Sequence, residues 1–218
     1  MQYQAVLFDM DGTVLDTLED LYDSLNYTFT RFSLPPVSRK QVRAMLGNGA
    51  AFLVGHCVPP DCSAALKAQV LDFYKPWYAD HCRIKTAPYA GILPLMQALK
   101  DAGILLAIVS NKPDPAVQEL AEAFFPNLLQ LAVGESAEVR RKPAPDTVLT
   151  AAARMGLPVE KCVYVGDSEV DIATARNAGM DCISVTWGFR DEPDLLASGA
   201  GVLVRTPEEL LKLLLQNA

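Results

Sequence analysis

Ala5-Val6-Leu7-Phe8-Asp9-Met10-Asp11-Gly12-Thr13-Val14-Leu15-Asp16 is the stretch from which the rest of the chain is read. Its first four residues are an apolar run of the kind that makes a buried strand. The run ends in two carboxylates, Asp9 and Asp11, with one residue between them. Gly12 permits a sharp turn, and Thr17 is placed to cap a following helix. Open α/β sheets bind ligands at the carboxyl ends of their strands. Two acids there can attack, carry a proton and hold a hard divalent cation through oxygen. A plain strand, turn and capped helix has the same appearance, so the chemistry is decided by the rest of the chain.

A chain of 218 residues accommodates one domain with a modest insertion, or two small domains. Half the residues are hydrophobic and 21% are charged, the balance of a globular protein. The formal net charge of -7 argues against nucleic acid as a partner, since backbone binding needs clustered Lys and Arg. The five cysteines (Cys57, Cys62, Cys82, Cys162 and Cys182) are odd in number and show no CxxC spacing, so a reduced, cytoplasmic setting is expected. The first strand begins almost at Met1, which leaves no room for a signal peptide. No apolar run approaches bilayer length, so no membrane partner is expected.

Beyond the opening strand, Leu18, Leu21, Leu25, Phe29 and Phe32 recur at helical spacing, with Thr17 and Asp20 placed as a capping box. Ser38 with Gln41 marks a second helix start, Gly47 its end, and Ala64 to about Tyr78 reads as a further helix. The segment 16–81 therefore reads as an all-helical insertion. From there the texture alternates. Helices are expected over Gly91–Ala102, Pro115–Phe124, Pro145–Met155 and Val170–Ala178. Strands are expected at Ile104–Val109, Leu129–Val133, Cys162–Val165, Cys182–Val185 and Val202–Val204. Thr206-Pro207-Glu208-Glu209 opens a last helix. This pattern predicts an α/β fold, a doubly wound Rossmann-like parallel sheet core made from 1–15 and 82–218, with a helical cap domain, 16–81, inserted after the first strand.

Four strand ends carry reactive groups. Asp9 and Asp11 are the first. Ser110-Asn111-Lys112 follows the second strand, where a hydroxyl and an amide can donate to phosphate oxygens, or simply form a turn. Arg140-Arg141-Lys142-Pro143 offers cations, of which Lys142 is placed to neutralise charge on a phosphoryl group. Gly166-Asp167-Ser168-Glu169-Val170-Asp171 puts two carboxylates one helical turn apart.

In this order the motifs identify a resemblance to the haloacid dehalogenase superfamily, covering nearly the whole chain. Asp9-x-Asp11-Gly12-Thr13, Ser110, Lys142-Pro143 and Gly166-Asp167 match its four motifs. Asp16-Thr17-x-x-Asp20-Leu21, Gly47-Asn48-Gly49, Ser110-Asn111-Lys112-Pro113, Arg141-Lys142-Pro143-x-Pro145 and Thr186-Trp187-Gly188 are most similar to its phosphoglycolate phosphatases. The resemblance implies a Mg²⁺-dependent phosphatase of a small phosphorylated metabolite, 2-phosphoglycolate first, working through an aspartyl phosphate. It implies Asp9 as nucleophile and Asp11 as acid and base, with Thr13, Ser110, Asn111 and Lys142 at the phosphate. Mg²⁺ is implied at the Asp9 side chain, the Asp11 carbonyl and Asp167, with Asp171 as a brace. Gly47 and Asn48 are candidate substrate contacts in the cap, while Lys40 and Arg43 read rather as a solvated helix face. Neither His56 nor His81 lies near a motif. A relative of the same build acting on pyrophosphate, a nucleotide or a sugar phosphate is the alternative. A phosphomutase is disfavoured by the absence of His after Asp16-Thr17, and a phospho-aspartate switch domain by the helical insertion and by Asp11.

Overall fold

The computed structural model describes residues 3–216. The chain divides into two compact units, Met1–Leu15 with Pro88–Ala218, and Asp16–Ala87. In the first, β1 (Ala5–Asp9) is buried throughout, as the apolar run requires. After it come the two-residue β2 (Leu15–Asp16) and the helical unit: α1 (Leu18–Arg31), α2 (Arg39–Ala44), α3 (Gly49–Cys57) and α4 (Ala64–His81). The chain then runs through β3 (Ala87–Pro88), α5 (Ile92–Asp101), β4 (Leu105–Pro113), α6 (Asp114–Phe124), β5 (Leu131–Glu135) and α7 (Asp146–Arg154). It ends with β6 (Cys162–Gly166), α8 (Glu169–Ala178), β7 (Asp181–Val185), α9 (Glu192–Ala197), β8 (Leu203–Val204) and α10 (Pro207–Gln216).

The six-stranded sheet has the order β5-β4-β1-β6-β7-β8, and its described pairings are all parallel. Chain order runs outward from β1 in both directions, through β4 and β5 on one side and β6, β7 and β8 on the other. The carboxyl end of β1 therefore lies at the switch point where such sheets open a crevice for ligand. Ala5, Leu7, Ala107, Val109, Tyr164 and the inner faces of α7 and α8 form one core layer, which fixes the strands below that edge.

In the helical unit, α1, with Leu21, Leu25 and Phe29 buried, packs against α4, with Val70 and Tyr74 buried. Tyr27 stacks on Trp77 and Trp77 on His81, each with ring centroids 3.8 Å apart. His81 Nδ1 donates to the Trp77 carbonyl at 2.7 Å, and His56 Nδ1 to the Phe52 carbonyl at 2.9 Å, so both histidines close the last turns of their helices. Ser38 and Gln41 form a capping box at the expected helix start.

Several elements differ from the sequence-based expectation. The helix α3 lies where only a turn was expected after Gly47, because Ala50, Ala51, Phe52 and Leu53 carry no amphipathic period to announce it. The strand β4 continues through the polar Ser110-Asn111-Lys112, four residues beyond the apolar run. The expected Thr17–Asp20 capping box is absent. Thr17 makes no side-chain cap bond, and the buried Asp20 carboxylate instead accepts from Lys85 N (2.9 and 3.0 Å) and Thr86 N (2.9 Å). A tertiary demand for an acceptor at two backbone amides outweighs a local cap.

Asp20→Ala removes that acceptor and orphans the amides of Lys85 and the buried Thr86. It is expected to cost about 2 kcal/mol in urea unfolding, with Asp20→Asn losing less because the amide oxygen still accepts.

Candidate active site

The second residue of the opening acid pair does not share the fate of the first. Asp9 ends β1 and is 4% exposed. Its Oδ1 accepts from Met10 N at 2.7 Å and from Lys142 Nζ at 2.7 Å. Asp11, beyond the strand, is partly open to solvent, and its Oδ1 pairs with Lys112 Nζ at 3.0 Å. Between them and Asp167 the turn is tight. Gly12 has φ +83, and a Cβ there would come within 2.3 Å of Asp167 Oδ2. A Cβ on Gly188 would come within 2.3 Å of the Gly12 carbonyl and 2.4 Å of Asp167. Both glycines let the backbone close around that carboxylate.

Lys142 is 2% exposed and is the hub of the site. Its ammonium meets Asp9 Oδ1 (2.7 Å), Asp171 Oδ1 (2.7 Å) and the Tyr164 hydroxyl (2.9 Å). Those three acceptors match its three N–H donors. The Tyr164 hydroxyl in turn donates to Asp171 Oδ1 at 2.8 Å. The backbone of Lys142 is held by Asn111, which accepts from Lys142 N at 2.6 Å and donates to its carbonyl at 3.1 Å. Asn111, expected at the phosphate, is thus turned to the Lys142 peptide. Ser110, 1% exposed, accepts from Lys112 N at 3.2 Å through its hydroxyl, which keeps its own proton to donate.

Asp167 and Asp171 follow β6 into α8. Asp171 Oδ2 accepts from Asp167 N (3.2 Å), Ser168 N (3.1 Å) and Ser168 Oγ (2.7 Å), so it closes the helix start from inside. Asp167 Oδ2 accepts from Phe189 N at 2.6 Å, and its Oδ1 accepts from Thr13 Oγ1 at 3.3 Å. Trp187 Nε1 donates to the Thr13 carbonyl at 3.0 Å, which ties the loop after β7 to the turn after β1. Arg190 of that loop grips Glu169 at two points, 2.7 and 2.9 Å.

The structure therefore brings Asp9, Asp11, Thr13, Ser110, Asn111, Lys142, Asp167 and Asp171 to one edge of the first unit. Gly47 and Asn48 belong to the helical unit, at the start of α3, where Gly47 has φ +103. Sequence reasoning missed Tyr164 and the pairing of Lys112. A tyrosine in a fully buried strand has to find a hydroxyl partner, and that was the available signal for Tyr164.

Acids outnumber bases here, and the titration behaviour follows. Burial, then the charges of Asp171, Asp167 and Asp11, pushes Asp9 well above the usual carboxylate range despite Lys142. Burial and Asp171 raise Asp167 to about 7. Asp171 is held below its usual value: burial opposes this, but Lys142, Ser168 and Tyr164 all stabilise its anion. Burial works against the Lys142 ammonium, yet Asp171 and Asp9 keep its pKa above the ordinary lysine value. Carboxylate oxygens of Asp9, Asp167 and Asp171 lie within 4.8 Å of one another. An all-oxygen, anion-rich set of this kind suits a hard divalent cation. Asp9 and Asp167 are the members whose negative charge is under-compensated, whereas Asp171 is already matched by Lys142.

A sequence model of the haloacid dehalogenase-like hydrolase family matches residues 6–185. The chain is 34% identical over 213 residues to a phosphoglycolate phosphatase of Xanthomonas campestris pv. campestris, covering 95% of this chain and 94% of that one. It is 33% identical over 223 residues to an N-acetylmuramic acid 6-phosphate phosphatase of Pseudomonas aeruginosa, covering 98% and 96%. Among solved structures it is similar to a candidate phosphoglycolate phosphatase of Lactobacillus delbrueckii subsp. bulgaricus, with a TM-score of 0.94, 42% identity and coverage of 98% and 99%.

A raised carboxylate pKa means that the folded chain holds a proton which the unfolded chain releases. Asp167 should therefore make metal-free stability fall as pH rises from about 4, the unfolded value, through about 7. Urea unfolding in chelator should show this fall, and Asp167→Asn should flatten it. An unchanged slope in the variant would remove Asp167 as its source. Gly12→Ala should displace Asp167 and cost ~2 kcal/mol from the positive φ alone, read in the same assay.

Proposed function

The chain belongs to the haloacid dehalogenase-like hydrolase family and is a phosphoric monoester hydrolase, and on that premise we propose that it hydrolyses 2-phosphoglycolate to glycolate and phosphate through an aspartyl phosphate on Asp9. The observation that carries the mechanism is the Asp9–Lys142 contact at 2.7 Å in a buried site. Lys142 works against the burial and neighbouring acids that raise Asp9, favouring the ionised carboxylate that attacks, and puts a fixed cation beside the place where phosphoryl charge accumulates.

In the first step a carboxylate oxygen of Asp9 forms a bond to phosphorus as the bond from phosphorus to the ester oxygen breaks. Asp11 gives its proton to that leaving oxygen. In the second step water attacks phosphorus, Asp11 takes the water proton, and the bond from phosphorus to Asp9 breaks to release phosphate and restore the carboxylate. Ser110 donates its hydroxyl to a phosphoryl oxygen. Lys142 neutralises charge there, and since its donors are shared among Asp9, Asp171 and Tyr164, the phosphoryl group has to take over part of that shell. Thr13 and Asn111 act on the site through Asp167 and the Lys142 backbone, respectively. Asp171 and Tyr164 keep the ammonium in place.

The donor set fits Mg²⁺, which Asp9, the Asp11 carbonyl and Asp167 would hold, and which when bound supplies charge neutralisation and alignment for in-line transfer. The crowding of Asp9 and Asp167 supports this, since a divalent cation relieves the repulsion that raises both. Within the same reading the helical unit is the cap domain, and Gly47 and Asn48 are its candidate substrate contacts.

The test is phosphate release from 2-phosphoglycolate with Mg²⁺ and with chelator, for wild type and Asp9→Asn. The expected result is Mg²⁺-dependent release that falls at least about 1,000-fold in Asp9→Asn. Undiminished release by that variant would overturn the aspartyl phosphate. Release from N-acetylmuramic acid 6-phosphate but not from 2-phosphoglycolate would keep the mechanism and move the substrate to that of the Pseudomonas relative. Mg²⁺ should also raise the melting temperature more at pH 8 than at pH 6, because Asp167 must lose its proton to bind it.

A further inference from the structure

We propose that Lys112 is the specificity-determining residue of the core: its ammonium recognises a carboxylate on the leaving group, next to the ester oxygen. This rests on the reading of Asp11 as the acid that protonates that oxygen.

Three observations converge. The first is position. Lys112 Nζ lies 3.0 Å from Asp11 Oδ1, so it stands one hydrogen bond away from the group that meets the leaving oxygen. In a 2-hydroxy acid the carboxylate is attached to the carbon that carries this oxygen, so its own oxygens fall within reach of a donor beside Asp11.

The second is the allocation of cations. Lys142 is committed to Asp9, Asp171 and Tyr164, on the phosphoryl side. Arg190 is committed to Glu169 through two contacts, at 2.7 and 2.9 Å. Lys112 is the cation whose described ion pair is with the proton carrier itself.

The third is the cost of placing it there. The side chain of Lys112 is only 8% exposed, an expensive position for an ammonium. The backbone beneath it is fixed. Lys112 N donates to Ser110 Oγ at 3.2 Å, and Asp114 Oδ1 accepts from Gly134 N at 2.7 Å. A Cβ on Gly134 would lie 2.8 Å from the Lys112 carbonyl. The regular pairing of β4 with β5 breaks between Val109 and Pro113, over the segment that carries Ser110 and Lys112. Irregular strand ends of this kind re-aim side chains beside active sites. One ammonium is thus built into the leaving-group side by β4, independently of the helical unit. The competing explanation is that Lys112 only balances the charge of Asp11, in which case it would serve every monoester equally.

The experiment compares kcat/KM on 2-phosphoglycolate and on its neutral isostere 2-phosphoglycolamide, for wild type, Lys112→Gln and Lys112→Arg. Wild type is expected to prefer the acid, and Lys112→Gln to lose about 30-fold more on the acid than on the amide, chiefly in KM. Lys112→Arg keeps the charge and should retain most of the preference, which also guards against a variant that merely misfolds. Equal losses on both substrates in Lys112→Gln, or a wild type indifferent to acid and amide, would overturn the role of Lys112 and leave the phosphatase chemistry standing. A wild type slow on 2-phosphoglycolate but fast on 2-phospholactate, with the acid preference lost in Lys112→Gln, would discard 2-phosphoglycolate and retain the role of Lys112.

Discussion

A buried lysine organises the edge of this sheet. Lys142 brings a full charge into a site where it is 2% exposed, which is tolerable only if all three of its donors find acceptors. They come from three different elements: Asp9 from β1, Tyr164 from β6 and Asp171 from α8. A fourth, β4, holds the Lys142 backbone through Asn111. The ammonium is therefore satisfied only when the strands and the helix are in register, and they in turn bring their acids together only around it. Packing below the edge, through Leu7, Val109 and Tyr164, sets the strand positions from the apolar side of the same residues.

That arrangement is strong but not electrically balanced. Asp171 is compensated by Lys142, Ser168 and Tyr164, and its pKa is lowered. Asp9 and Asp167 share the remaining field and are raised. Neighbouring carboxylates with opposite shifts divide into one matched by its donors and two whose charge is under-compensated. The division follows from how many donors each oxygen receives, since Asp171 sits at a helix start where backbone amides converge.

The fold class and the strand ends were legible because their signals are local. Buried parallel strands are apolar runs, and the reactive residues are what interrupts them, as at Val109 to Ser110 and Val165 to Asp167. What was not legible depends on contacts between distant segments. Nothing near Asn111 says that its amide will clasp a peptide bond 31 residues away. Asp20 has the spacing of a capping-box residue and is drawn to Lys85 and Thr86 instead. In the helical unit α3 lacks an amphipathic period, so a pattern-based reading passes over it.

The two sides of the reacting bond are built on different principles. On the phosphoryl side charges are mutually held, and every monoester presents the same group to them. Discrimination on the core therefore has to come from the leaving-group side, where Asp11 is the more exposed of the two opening acids and Lys112 is its described partner. A point charge on a fixed strand end discriminates by sign and not by shape, because an ammonium has no planar fork to match. A site made this way favours an anionic leaving group because the ammonium, already paired with Asp11, gains a second anion that a neutral group does not supply.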